Sequence, residues 1–173
     1  MQSLRKFLKR IKLTGMLFNG ELAVAHARLY AVHHKANGEQ VDLGLIAKHK
    51  VTQAFVADLV ACLAGTVGSF TAFKYHDCGT GATAEANSQT ALVTPFGGSR
   101  GVGTQVAGGS GATVTYTSVG TCSFTSALTI IEHGIFNAAA AGTMLDRSTG
   151  FSRAVESGDS ITFTYVLTVT AES

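Results

Sequence analysis

The last strand-like run constrains this chain more than any other feature. From residue 161 to 170, Ile161, Phe163, Tyr165, Leu167 and Val169 alternate with Thr162, Thr164, Val166, Thr168 and Thr170. Period two in aromatic and β-branched residues dictates a strand with one face in a core, a pattern no helix satisfies. Gly158-Asp159 supplies the turn before it. Such a strand must cover its apolar face with a second layer, and one-sided alternation belongs to antiparallel sheets. The expectation is a mainly β fold: an antiparallel β-sandwich or jelly-roll-like domain.

Other runs agree with it. Residues 16–34 alternate loosely through Leu17, Leu22, Val24, Leu29 and Val32, and predict one or two strands before a turn at Asn37-Gly38. Asp42 to Ile46 reads as a strand or an edge. Further strands are expected at Thr71–Tyr75, Ala112–Tyr116, Cys122–Ile131 and Thr143–Leu145. Two Gly-rich segments, 79–89 and 97–111, predict loops or long hairpin tips. One helix interrupts the pattern at about 52–64. Thr52 is its N-cap, Gly65 its stop, and Phe55, Val56, Leu59, Val60 and Leu63 form an apolar face that predicts a packing helix.

Only 14% of residues are charged, well below the usual quarter of a soluble domain. That suits either a subunit largely covered by neighbours or a thinly charged sandwich monomer. The net charge of +2 hides a split: nine Lys or Arg face three Asp or Glu in residues 1–50, and four face eight in residues 51–173. The basic excess begins in an amphipathic segment. Leu4, Phe7, Leu8 and Ile11 fall on one helical face, with Arg5, Lys6, Lys9, Arg10 and Lys12 on the other. Such a segment can dock in a partner's groove, touch phosphates or lie on a membrane. It is too short to be a stable helix alone, so we expect an arm that orders on a partner subunit, with neither direct nucleic-acid contact nor membrane binding. The chain divides into a basic arm with edge strands (1–49) and a β-rich domain (50–173). No run reaches the roughly 20 apolar residues of a membrane span. Asn19, Gly20 and Glu21 interrupt what would be the apolar centre of a cleaved leader, so no cleavage is expected.

Several residues invite a catalytic or binding reading. His76, Asp77 and Cys78 are consecutive, so on a strand His76 and Cys78 share a face that Asp77 does not. Glu132-His133 pairs an acid with a base but lacks HExxH spacing, and Glu132 reads better as an acceptor tying down a backbone turn. His26, His33 and His34 could meet a metal only across chains. Cys78-Gly79-Thr80-Gly81 lacks the phosphate-loop spacings and precedes no helix. Cys62, Cys78 and Cys122 show no CxxC spacing; Cys62 in the helical run and Cys122 in a strand-like run read as small core residues of a protein assembled in a reducing cytoplasm. The residues require no catalytic group, cofactor, metal or small-molecule substrate.

An ordered set of fragments points further. Lys50 to Val56 leading into the helix, Phe73-Lys74-Tyr75-His76-Asp77, Gly79 to Glu85 and Thr90-Ala91-Leu92 come first. Glu132-His133-Gly134-Ile135-Phe136-Asn137, Gly142 to Ser148 and Gly158-Asp159-Ser160 follow. Together, over about residues 50–170, they resemble a family of tailed-bacteriophage virion structural proteins. The resemblance implies a virion component without catalytic residues, assembled in the host cytoplasm. We expect a capsid decoration, or cement, protein that binds the major capsid protein and other copies of itself, as a trimer before a dimer. A tail, baseplate or fibre-attachment component and a receptor- or glycan-binding module are the alternatives. The basic arm lies outside the matched fragments.

Overall fold

The computed structural model describes residues 24–49, 51–66 and 72–170. Its strands are β1 (Val24–His34), β2 (Gln40–His49), β3 (Tyr75–Gly79), β4 (Gly101–Val102), β5 (Thr104–Ser110), β6 (Thr113–Ser123), β7 (Leu128–Ile130), β8 (Glu132–Phe136), β9 (Met144–Ser148), β10 (Arg153–Val155) and β11 (Ser160–Thr170). The helix α1 spans Gln53–Leu63. One sheet runs β2-β1-β11-β6-β5, a second β4-β3-β8-β9, and β10 pairs with β7 in a short third. All pairings are antiparallel. This is the mainly β, sandwich-like fold with one helix that the alternation predicts.

β11 is the spine. It pairs along its whole length with β1 on one side and β6 on the other. Its large inward residues have small neighbours on β6: Phe163 lies between Ala31 and Gly120, and Tyr165 between Leu29 and Ser118. Ile161, Phe163, Tyr165 and Leu167 are buried with Cys78 and Ile135 of the second sheet. Each such side chain contributes about 1.5–3 kcal/mol on leaving water. Cys122 joins this core, whereas Cys62 on α1 is only half-buried; all three cysteines are free thiols.

Several expectations need correction. β1 is not an edge strand: it lies between β2 and β11, so of the two strands within residues 1–49 only β2 is at a border of the sheet. β6 runs on through Thr117–Thr121, then breaks where Phe124 exchanges backbone hydrogen bonds with Gly158 and Asp159, so Cys122–Ile131 is not one strand. Of the two readings of residues 97–111, the structure has the hairpin: they supply β4 and β5, and β5 turns at Gly111 and Ala112 into β6. β3 starts at Tyr75, and Thr71 lies outside the described residues.

α1 forms where expected, with the Thr52 hydroxyl accepting from Phe55 N and Gly65 at φ +67°. It is not a packing helix. Thr52 ties its start to β9, donating through N to Leu145 O at 2.9 Å and through Oγ1 to Met144 O. Phe55 alone is buried, edge-on to Phe73. Val56, Leu59, Val60 and Leu63 are exposed, Leu63 by 78%. Asn137 Nδ2 donates to Asp58 Oδ2 in the second turn at 3.5 Å, and beyond Phe55 the apolar face points away from the sandwich.

Candidate functional site

Every residue of β8 and β9 is buried, including Glu132, His133, Asp146, Arg147 and Ser148. Continuous burial requires cover on both faces. The five-stranded sheet covers one face, and the irregular segment 80–94 covers the other, held by one ion pair. Glu132 Oε2 accepts from Arg147 Nε at 2.7 Å and Val93 N at 3.0 Å, while Oε1 accepts from Thr94 N at 2.7 Å and Gly81 N at 3.1 Å. The same guanidinium donates to Gly81 O, Thr83 O and Gln89 Oε1. Both side chains are enclosed, so the pair satisfies the rule that a buried charge must be paired and fully hydrogen-bonded.

Glycine makes the approach possible. A Cβ at Gly81 would lie 2.5 Å from Glu132 Oε1, and one at Gly79 would lie 2.2 Å from Thr94 O. The turn that loosely imitates a phosphate loop therefore binds an anion, the protein's own Glu132 carboxylate. Glu132 is the backbone acceptor its sequence context suggests. Arg147, its partner, carried no signal because the contact joins two strands.

A second clasp surrounds Arg100. Its Nε donates to Asp77 Oδ2 at 3.2 Å, its NH1 to Ala138 O and Ala141 O, and its guanidinium lies 3.5 Å over the Phe136 ring. Burial raises the Asp77 carboxyl above its ordinary value while the Arg100 hydrogen bond opposes the shift. A third joins two turns. Asp159 accepts from Ala36 N and Glu156 N and pairs with His33 Nε2 at 2.8 Å, and those backbone donors hold its carboxyl at about 2. Arg153 Nε can only donate, so His33 Nδ1 accepts from it at 2.7 Å and Nε2 carries the hydrogen.

Between the sheets, His76 Nε2 meets Ser118 Oγ at 2.9 Å and Nδ1 meets His133 Nε2 at 3.0 Å. The order hydroxyl, imidazole, orienting group is that of an activated nucleophile. All three side chains are closed to solvent, so nothing can reach the hydroxyl without the sheets parting. Burial pushes the His76 imidazole down to about 4. A Cβ at Gly120 would lie 2.3 Å from His76 Cδ2, so Gly120 is the space the ring occupies. Burial likewise raises the Cys78 thiol, with Cys122 adding to the effect.

These networks close on themselves. Asp77 and Cys78 do not join His76 in a shared site, because Asp77 turns to Arg100 and Cys78 packs in the core. His33 and His34 pair with Asp159 and Thr162, and His26 is exposed. Among the described residues no group of three or more His, Cys, Asp or Glu is placed to hold a metal, and no helix is long and apolar enough to cross a membrane. The arm residues Leu4, Arg5, Lys6, Phe7, Leu8, Lys9, Arg10, Ile11 and Lys12 lie outside the described residues.

The outer surface has the opposite character. Residues 101–131 contain no Asp, Glu, Lys, Arg or His, and they build β4 to β7. Val102 and Val106 are 66% and 61% exposed, and Val93 and Val114 are exposed as well. Fold and surface together define an antiparallel β-sandwich stapled by internal charge and carrying uncharged exposed surface on β4 to β6. No family model, curated protein or solved structure matches the chain.

Proposed function

We propose that this protein is a non-enzymatic structural subunit of a tailed-bacteriophage particle, a decoration protein that binds the assembled major capsid protein lattice and stabilises the head. The observation that carries this reading is the placement of charge. Glu132, Arg147, Asp146 and Asp159 are enclosed, while the α1 face and the β5–β6 hairpin expose valine, leucine, threonine and glycine. Contiguous exposed apolar surface marks contact with other macromolecules. The ordered fragments from Lys50 to Ser160 supply the phage context, and they include the residues of the Glu132–Arg147 clamp.

A subunit that binds the closed lattice and not the free coat protein stabilises the lattice by mass action. The arm residues Leu4, Phe7, Leu8 and Ile11 fill a groove on a coat subunit, and Arg5 to Lys12 meet acidic groups there. A glycan- or receptor-binding module is less well supported, because Phe55, Phe73, Phe124, Phe136, Phe163 and Tyr165 are all buried.

Stained gels of purified particles test the reading. A head decoration protein gives on the order of hundreds of copies per particle, as lattice symmetry demands. A band at tail-like stoichiometry of a few dozen copies or fewer moves the protein to the tail, baseplate or fibre, and its absence from particles ends the proposal. Deleting residues 1–13 is expected to lower particle occupancy, and unchanged occupancy contradicts the arm's role.

A further inference from the structure

The five-stranded sheet has two borders, and they are built differently. β2 exposes Asp42 and Lys48. Its pairing with β1 slips twice, between Leu29 and Tyr30 and between Ala31 and Val32. Gly44 sits there at φ +62°, its N–H donating to Asp42 Oδ1. Charge and bulging are the devices that keep a border strand from pairing with another chain. β5 has neither. Its register with β6 runs unbroken from Thr104 opposite Val119 to Ser110 opposite Thr113. It contains no charge and no proline, and five of its seven residues are exposed. Among the described residues β6 is its only strand partner, so alternate peptide groups of β5 present N–H and C=O outward.

We propose that β5 is a self-association edge: two copies join by antiparallel β5–β5 pairing about a two-fold axis, making one continuous sheet across a dimer. A two-fold axis sets the strand against itself. A strand without charge then places no like charges opposite one another, and Ala107 and Gly108 offer no bulk to hold the backbones apart. The pairing stretch is Thr104–Gly108, because Gly109 at φ +80° ends the extended backbone. Addition of β5 to a neighbour's β2, which would give a ring or a filament, meets the bulges and charges of that border. The inference stands on the edge alone and not on the virion reading, and it replaces the expected three-fold with a two-fold assembly.

Sedimentation of the full chain tests it. At tens of micromolar the wild type is expected to sediment at twice its 17.9 kDa mass. Val106→Lys and Val106→Glu are each expected to sediment as monomers, with unchanged circular dichroism because Val106 is exposed. An equimolar mixture of the two variants is expected to regain the dimer, since opposite charges then face across the axis. A monomeric wild type, which leaves the edge to some other chain, overturns the proposal. So do an odd-numbered assembly, charged variants that stay dimeric, and a mixture that stays monomeric. Particle copy number is unaffected by any of these outcomes, so the two proposals fail separately.

Discussion

β8 and β9 enclose Glu132, His133, Asp146 and Arg147, whereas β5 and the near end of β6 carry no charge and face solvent. In these two regions the usual arrangement of a soluble domain, with charge on the surface and apolar residues inside, is reversed, while Arg28, Glu39, Asp42, Lys48, Glu85 and Glu156 keep it elsewhere. The difference teaches what each region is for. A buried ion pair adds little net stability over an apolar replacement, yet breaking it is costly, so the Glu132–Arg147 pair enforces one placement of segment 80–94. The uncharged hairpin has few groups to desolvate when another surface covers it.

The largest expected effect breaks the internal half of the comparison. Glu132→Gln leaves the enclosed Arg147 guanidinium without its counter-charge and is expected to cost about 3–5 kcal/mol in urea unfolding. A loss under about 1 kcal/mol would mean that other contacts hold the segment. Acid comes next. The His76 imidazole is pushed from 6.5 to about 4, so the unfolded chain takes up a proton between those pH values that the folded chain refuses. Stability is full above pH 6.5 and falls as the pH drops toward 4, by up to about 3 kcal/mol. Asp159, held at about 2 against 3.8, adds acid sensitivity only between those lower values. Urea midpoints across pH should show both windows, and His76→Gln should flatten the upper one. Gly120→Ala drives a Cβ into the His76 ring, which is hydrogen-bonded at both nitrogens and cannot swing away, and is expected to destabilise by about 1–3 kcal/mol. The smallest effect sharpens the other half: Val106→Lys should change monomer unfolding by less than about 0.5 kcal/mol, measured well below the dimer's dissociation concentration.

The fold was legible where local pattern and burial agree. β11 alternates because one face meets the core, and α1 is marked by Thr52 and Gly65. Glu132 was legible as a backbone acceptor. The middle of β6 was not, because Ser118 and Gly120 answer to His76 and not to strand propensity. Asp146-Arg147-Ser148 gave no strand signal, since its burial depends on cover from segment 80–94 and on the Tyr165 hydroxyl at 3.3 Å from Asp146. The α1 stripe misled in the opposite sense: amphipathic spacing shows that a face is apolar, not what lies against it. The edge at β5 was hidden because Gly-rich sequence does not distinguish a loop from a hairpin, and only the pairing with β6 makes it a strand.

Amide hydrogen exchange at two protein concentrations tests the contrast most directly. Gly81, Val93 and Thr94 lie outside regular strands, yet their amides should be strongly protected at both concentrations, because each donates to Glu132. The outward amides of Thr104–Gly108 should be open at low concentration and protected at high concentration. Fast exchange at Gly81, Val93 and Thr94, or β5 protection that ignores concentration, would contradict a molecule that clamps segment 80–94 with a buried charge pair and makes its contacts on an uncharged edge.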